Sequence, residues 1–185
     1  PRSSSAASDV YKRQLLINRV NSDLSNDLGN LSQRCLSMVN KHCNKKVPEK
    51  NSLNDIDYEL LSLPEVKISK IFEMMDKFQI NSYIEEVFNI VSKTNKYFSD
   101  QKPWELKNND SIRMETVLWV TVEMIRKISI MLQPVMPESC NRLLDLLCVK
   151  NNERFLSFIS DEFSLTPGKA IKEPVIIFPK IEYKK

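Results

Sequence analysis

Apolar residues recur at steps of three and four along most of the chain, and this spacing predicts a bundle of helices. The first run extends from Leu15 to about Asn44. After a break at Pro48, Asp55 to Leu63 is predicted as a short helix that ends at Pro64, because proline interrupts a helix interior. Val66 to Phe78 has helical spacing again. The first run places these apolar residues on one face: Ile17, Val20, Leu24, Leu28, Leu31, Cys35 and Met38.

Three more helices are predicted in the middle of the chain. Asn81 or Ser82 is a candidate N-cap for a helix that extends to about Phe98 and stops before Pro103. Its expected core face is Ile84, Val87, Phe88 and Val91. Asp110 and Ser111 are candidate caps for a helix that ends at Leu132, with Leu118, Val122, Ile125, Ile128 and Leu132 as its core face. A turn at Pro134 and Pro137 precedes a helix from about Glu138 to Cys148.

The helical spacing is lost near the end of the chain. Phe163 to Lys172 is predicted as a loop with a turn at Pro167-Gly168, and Val175 to Phe178 as an extended apolar tail. We expect the tail to pack back on the bundle or on a further domain, because apolar surface needs cover. The fold class is therefore all-α, with a helical bundle over residues 15–160 and a tail over 161–185. Residues 1–14 are typical of a tag, a cloning scar or a sequence-assembly artefact.

Composition narrows the possible functions. The 185 residues include only two glycines, which argues against a Gly-rich phosphate loop and against an all-β fold. A net charge of +3 does not by itself indicate a nucleic-acid partner. No apolar run approaches the length of a membrane span.

The cysteines and the single histidine suggest neither a metal site nor a nucleophile. Cys35, Cys43, Cys140 and Cys148 form two pairs with a spacing of eight residues, not the short spacing of a zinc knuckle. We therefore expect reduced cysteines. His42 has no further ligands or nucleophile signature beside it, so no catalytic or metal-binding residue is predicted.

Four motifs, in order along the chain, carry a resemblance to a known family. Asn21 to Arg34, Asn95 to Leu106 and Leu132 to Pro137 resemble the anticodon-binding helix bundle of methionyl-tRNA synthetases. Pro174 to Glu182 resembles the segment of that family that returns towards the catalytic domain. The leucyl, isoleucyl, valyl and cysteinyl class I synthetases share the bundle, so they remain alternatives. A helical protein-interaction module, with the tail as its docking strand, is another.

The resemblance also implies what this chain lacks. The nucleotide-binding fold and the ATP-binding signatures of the family are absent, so we expect a non-catalytic fragment of a methionine-tRNA ligase without a cofactor of its own. The full-length enzyme would use ATP and magnesium to ligate methionine to its tRNA. The implied partners are the anticodon stem-loop of methionine tRNA and a catalytic domain in cis, with no membrane and no DNA. The expected location is a bacterial cytoplasm or an organellar matrix.

Asn26, Asn30 and Arg34 lie four residues apart in the first predicted helix. Helical geometry centres them about 120° from the apolar face, at the helix shoulder. Amides and a guanidinium suit the edge of an unpaired base, although a solvated helix surface has the same composition. The resemblance implies that Asn30 and Arg34 help to read the first anticodon base, a cytosine, with Asn26 beside them.

Trp104 is the candidate stacking residue. Aromatic side chains stack on unpaired RNA bases, and Pro103 restricts the backbone before the indole. A lone tryptophan can equally plug the end of a bundle, but the resemblance assigns stacking to this Pro-Trp pair. Trp119 is predicted to lie in the core. Lysines near the two predicted RNA-binding segments are candidate phosphate contacts or plain solvated surface: Lys41, Lys45, Lys46, Lys93 and Lys96.

Overall fold

The structure, a computed structural model, describes the backbone of residues 3–182 and the side chains of residues 11–182. Residues 1 and 2, from the predicted tag, scar or artefact, and residues 183–185, from the predicted tail, lie outside the described residues. The helices are α1 (Ser3–Arg19), a π-helical segment (Val20–Gly29), α2 (Asn30–His42), α3 (Asp55–Asp76), α4 (Ile80–Gln101), α5 (Pro103–Asn109), α6 (Ser111–Leu132) and α7 (Pro137–Leu146).

The described part of the chain is all-α, as predicted, and its only strand-like feature is one antiparallel bridge between Lys46 and Ala170. Three single 3-10 turns follow α7, at Asn151–Glu153, Leu156–Phe158 and Asp161–Phe163. An extended tail follows them. No helix in the described range is long and apolar enough to cross a membrane.

Helix α6 is the centre of the bundle. Every residue from Thr116 to Leu132 is buried, and the helix packs against α2, α3, α4, α5 and α7. The helix also carries buried charged side chains. Arg126 Nη2 donates to Glu123 Oε1 at 2.6 Å, and Lys127 Nζ donates to Asp161 Oδ1 at 2.7 Å. Periodicity alone indicated one buried face, whereas the ion pairs allow the other face to be buried too. The predicted core positions are all buried: Leu118, Val122, Ile125, Ile128 and Leu132.

The predicted helix end at Pro64 is wrong, because α3 continues through this proline from Asp55 to Asp76. A proline inside a helix removes one backbone hydrogen bond and separates the carbonyls of the preceding turn. The ammonium of Lys127 donates to one of them, the Leu61 carbonyl, at 3.1 Å. Pro64 leaves the Leu60 carbonyl without its helical donor, and Lys127 binds the neighbouring carbonyl in the same turn, which stabilises the distorted turn and lets the helix continue.

The connection between α3 and α4 also differs from the prediction. α4 begins at Ile80, so neither Asn81 nor Ser82 is its cap. The turn is set from the α3 side, where Gln79 N–H donates to the Met74 carbonyl at 2.8 Å and Phe78 takes a left-handed backbone with φ 55°. This arrangement is a Schellman motif, which fixes the start of α4 without a side-chain cap.

The other predicted helix ends and turns agree more closely with the structure. Asp110 caps α6 as predicted, with its carboxylate accepting from Arg113 N–H at 2.9 Å. The last helix begins at Pro137 and ends at Leu146, slightly before the predicted Cys148. The turn at Pro167-Gly168 is present, with Gly168 at φ 78°.

The N-terminal helical run is longer and less regular than predicted. Helical backbone continues without a break from Ser3 to His42, but Val20–Gly29 is π-helical. The helical backbone therefore includes most of residues 1–14, and the origin of these residues stays a prediction. π-Helices are rare and often occur at functional sites. Two elements contact this segment: Asn95 Nδ2 on α4 donates to the Asp27 carbonyl at 3.3 Å, and the tail lines a groove together with Ser25 and Gly29.

Candidate nucleic-acid interface

An exposed row of polar side chains follows the junction between the π-helical segment and α2. Asn26, Asn30 and Arg34 are all exposed there. Elsewhere on this surface the asparagines are used for structure: Asn21 hydrogen-bonds the tail and Asn95 hydrogen-bonds the π-helical segment. By contrast, no hydrogen bond within the described part of the chain engages the side-chain amides of Asn26 and Asn30. Their donors and acceptors are directed to solvent and are available to a ligand.

Arg34 and Trp104, seventy positions apart in the sequence, are brought into contact. The Arg34 guanidinium carbon lies 5.1 Å from the centroid of the Trp104 ring and 5.2 Å from that of Phe98. Both distances are within the range of a cation–π interaction. A guanidinium resting on two aromatic rings has fewer accessible rotamers, so its donors are held in a narrower range of directions. We call Arg34, Phe98 and Trp104 the aromatic–arginine cluster.

The backbone before Trp104 explains why the indole reaches the surface. Lys102 takes a left-handed backbone with φ 46°, and Pro103 is the first residue of the short helix α5. Pro103 is buried, whereas Trp104 is 36% exposed. The indole packs edge-on against Phe98 with ring centroids 5.9 Å apart. The backbone and the packed edge of Trp104 are thus held in place while part of its ring stays accessible, as a stacking platform requires.

Phe98 was missed as a site residue by sequence analysis. It is only 1% exposed and looks like an ordinary core residue of α4. It does lie within the Asn95–Leu106 motif that carries the resemblance, but spacing alone cannot reveal that its ring supports Arg34. Trp119, by contrast, is a core residue as predicted, 1% exposed, and its indole N–H donates to the Leu165 carbonyl at 3.1 Å.

The candidate phosphate contacts fall into different environments. Lys45 forms an ion pair with Glu173 at 2.5 Å and Lys46 forms the bridge to Ala170, so both help to hold the chain segment before the tail. Lys41 is exposed at the end of α2. Burial, Lys41 and Lys107 together lower the pKa of His42, which shows that α5 adds a positive charge at this end of α2.

Lys93 and Lys96 lie elsewhere. They line a groove between α3 and α4 together with Ile56 and Tyr97. The four cysteines are free, as predicted, and burial raises the pKa of Cys35 and Cys140. A buried thiol with a raised pKa is a poor nucleophile, because the thiolate is the reactive form.

A family model matches most of the chain. The model described as the anticodon binding domain of methionyl tRNA ligase matches residues 47–185. This range includes Pro103 and Trp104, whereas Asn26, Asn30 and Arg34 precede it.

Curated relatives extend the similarity to nearly the whole chain. The methionine–tRNA ligase of Mesorhizobium japonicum is 37% identical over 170 residues, which is 92% of this chain and 33% of the relative. That of Rickettsia conorii is 41% identical over 177 residues, 93% of this chain and 34% of the relative. The chain therefore spans about a third of the length of these relatives.

Solved structures give the same result for the fold. The apo form of Mycobacterium tuberculosis methionyl-tRNA synthetase superposes with a TM-score of 0.88 at 35% identity, over 92% of this chain and 35% of that one. The same enzyme in complex with methionyl-adenylate gives a TM-score of 0.85 at 36% identity, over 90% of this chain and 33% of that one. At this identity the similarity concerns sequence as well as architecture.

Proposed function

The chain belongs to the methionyl-tRNA ligase family as its anticodon-binding domain, and we propose that it binds the anticodon stem-loop of methionine tRNA. The proposed contact residues are Asn26, Asn30, Arg34, Pro103 and Trp104. Relatives and structures named above are all methionine enzymes, which favours this assignment over the leucine, isoleucine, valine and cysteine synthetases and over a protein-interaction module.

The observation that carries the proposal is the aromatic–arginine cluster beside the free amides. The pairing edge of cytosine carries acceptors together with an amino donor. Arg34 offers donors only, and the Asn30 amide offers both a donor and an acceptor. A cytosine lying against Trp104 would therefore find donors and an acceptor along the neighbouring helix row, while its face stacks on the indole.

The parent enzyme would carry out the chemistry outside this chain. We propose that the remaining length of the relatives contains a catalytic domain that activates methionine with ATP and magnesium and transfers it to the tRNA. Among the described residues, no three His, Cys, Asp or Glu side chains come together as possible metal ligands. This chain would supply tRNA recognition, in a bacterial cytoplasm or an organellar matrix.

Binding measurements with matched RNAs test the proposal. The full chain should bind a methionine tRNA transcript more tightly than one with uracil in place of the first anticodon base. Arg34→Ala and Trp104→Ala should each weaken binding to the cytosine RNA by about tenfold, since a stacked base contributes about 1–3 kcal/mol.

Arg142→Ala is the control for charge, because Arg142 is an exposed arginine on α7. It should change the affinity far less than Arg34→Ala. Equal affinity for the cytosine and uracil RNAs, or equal losses for Arg34→Ala and Arg142→Ala, would contradict the proposal.

A further inference from the structure

A second recess lies on the other side of the exposed polar row from the aromatic–arginine cluster. It is a groove of about 310 Å³ between the first helical run and the C-terminal tail. Ser25, Gly29, Asn30 and Gln33 form its helix wall, and residues 176–180 form its tail wall. We call it the tail groove. Its volume is at the lower end of the range for small-molecule pockets, about 300–1,000 Å³.

Two contacts hold the tail wall in place. The Asn21 amide makes a pair of hydrogen bonds with the backbone of Ile181, donating to its carbonyl at 3.0 Å and accepting from its N–H at 2.8 Å. Near the middle of the groove the tail packs directly on Gly29. A Cβ at that position would lie 2.9 Å from the Leu24 carbonyl and 3.4 Å from Phe178 Cβ. The short distance is to the carbonyl of the same helical run, whereas the distance to Phe178 is an ordinary van der Waals contact, so the tail rests directly against the helix at this point.

The walls of the tail groove combine the two surfaces that a nucleobase needs. Phe178 and Pro179 supply an apolar wall, with Phe178 buried and Pro179 exposed. Asn30 and Gln33 line the groove from the helix, and within the described residues no hydrogen bond engages the side-chain amide of either residue. Lys180 is exposed at the rim and brings a positive charge. Unpaired bases are bound by an apolar or aromatic surface on their face and by amides on their edge.

The tail groove is continuous with the proposed binding surface. Asn30 belongs both to the exposed polar row and to the groove wall. Arg34 follows it by one helical turn, about 6 Å along the axis. A single RNA strand lying along this row would meet the aromatic–arginine cluster on one side and the groove on the other. The two recesses are close enough to serve neighbouring nucleotides.

We propose that the tail groove binds a second unpaired base of the same RNA loop, adjacent to the base at Arg34 and Trp104. This inference rests on the proposed function. Gln33 reads the edge of the second base, Phe178 and Pro179 support its face, and Lys180 contacts a phosphate beside it. The C-terminal tail is thus part of the RNA-binding surface.

A double-mutant cycle between protein and RNA tests the inference. The RNA is the anticodon stem-loop in which one loop nucleotide at a time is made abasic. Gln33→Ala in the full chain should weaken binding to the intact loop by about fivefold, the effect of one hydrogen bond. It should have no effect on the loop that lacks the neighbouring base, because the partner of Gln33 is then absent. Ser37→Ala, an exposed position further along α2, is the control.

Each other outcome has a definite meaning. A loss caused by Gln33→Ala that is the same for every abasic loop overturns the inference, since Gln33 would then contact no particular base. No loss for Gln33→Ala, with a tenfold loss for Arg34→Ala, also overturns it but leaves the proposed function intact. If neither variant affects binding, the proposed function fails and the inference with it. Lys180→Ala should lower the salt dependence of binding, and an unchanged salt dependence would overturn the phosphate contact at Lys180.

Discussion

At the scale of single residues, the candidate site depends on how its side chains are held. The Arg34 guanidinium lies over two aromatic rings that pack against each other, and one of these rings, Phe98, is inaccessible to RNA. A free arginine would lose conformational entropy on binding, and a guanidinium already held against two rings loses less of it. Phe98 is therefore a positioning residue that acts through Arg34.

Replacing Phe98 tests this role. Phe98→Leu keeps a buried apolar side chain but removes the ring beneath the guanidinium. We expect the affinity for the cytosine RNA to fall by about threefold to tenfold, as the loss of a cation–π contact predicts. The preference for cytosine over uracil, measured by competition binding, should fall with it.

Phe88→Leu is the matched control, because Phe88 lies on the same helix and is only partly buried. Both variants should lose a similar amount of stability, about 1 kcal/mol. If both also lose the same affinity, Phe98 acts only through the stability of α4.

Part of the candidate site could be read from the sequence, and part could not. The resemblance supplied Arg34 and Trp104, and helical spacing supplied the exposed row. The contact between Arg34 and Trp104 could not be predicted, because it depends on how α4 and α5 pack against α2. The role of Phe98 was hidden for the same reason: burial in the core and support of a surface arginine give the same apolar spacing.

At the scale of elements, the chain makes tight turns almost without glycine. Both glycines are accounted for: Gly29 lies inside the first helical run and Gly168 in the loop before the tail. The left-handed positions at helix ends are occupied by other residues, including Phe78 after α3 and Cys148 after α7. Left-handed backbone costs a residue with a side chain about 1–2 kcal/mol. These helix ends therefore carry strain.

Phe78→Gly should relieve this strain. Phe78 is 87% exposed, so its side chain contributes little buried apolar surface. We expect the free energy of unfolding to rise by about 0.5–1 kcal/mol after allowance for the greater freedom of glycine in the unfolded chain. Thermal unfolding followed by circular dichroism measures the change, which corresponds to a rise in Tm of about 1–4 °C for a protein of this size.

Glu85→Gly is the control, and it should change the free energy of unfolding in the opposite direction. Glu85 is exposed within α4, where the backbone is right-handed, so glycine should lower the stability by about 1 kcal/mol. A loss of stability in Phe78→Gly comparable to that in Glu85→Gly would show that position 78 is not strained.

Helix existence was predictable, and helix ends were less so. The predicted core positions of α6 are buried, because the core selects apolar residues at a helical period. In α4 only Val87 and Val91 of the predicted core face are buried, whereas Ile84 and Phe88 are partly buried. Pro64 misled the prediction because its compensation comes from Lys127, more than sixty positions away. The π-helical segment was not predicted either, and its contacts at Gly29 and Asn21 are made with the tail, which is far away in the sequence.

At the scale of the whole molecule, one buried carboxylate joins three helices. Asp57 on α3 accepts from Arg113 on α6 at 2.5 Å and from the Tyr97 hydroxyl on α4 at 2.6 Å. Burial alone would raise the pKa of Asp57, but the hydrogen bonds from Arg113, Tyr97 and the Asn54 backbone outweigh it and lower the pKa. The group is therefore ionised in the folded state and stabilises it.

This network predicts how stability depends on acid. A carboxylate with a lowered folded-state pKa stabilises the fold above its unfolded pKa, about 3.9, and loses that contribution as the pH falls towards the folded value. Asp57→Asn should cost about 3 kcal/mol near pH 7, because it leaves Arg113 without its charged partner. Urea unfolding at several pH values should show this difference shrinking below about pH 4.

Asp100→Asn serves as the control, since Asp100 is exposed on α4. It should unfold like the wild-type chain at every pH. A gap between Asp57→Asn and wild type that stays constant into acid would mean that Asp57 contributes through packing and not through its charge.

The pair of hydrogen bonds between Asn21 and Ile181 joins residues 160 positions apart. A ribosome adds about 5–20 residues per second, so on the order of 10 s passes between the synthesis of these two residues. During that interval the first helix has left the ribosome with one side of its polar row still uncovered. The tail groove is thus completed long after its helix wall has been synthesised, and a chain terminated before residue 176 would contain every residue of the aromatic–arginine cluster but only one wall of the tail groove.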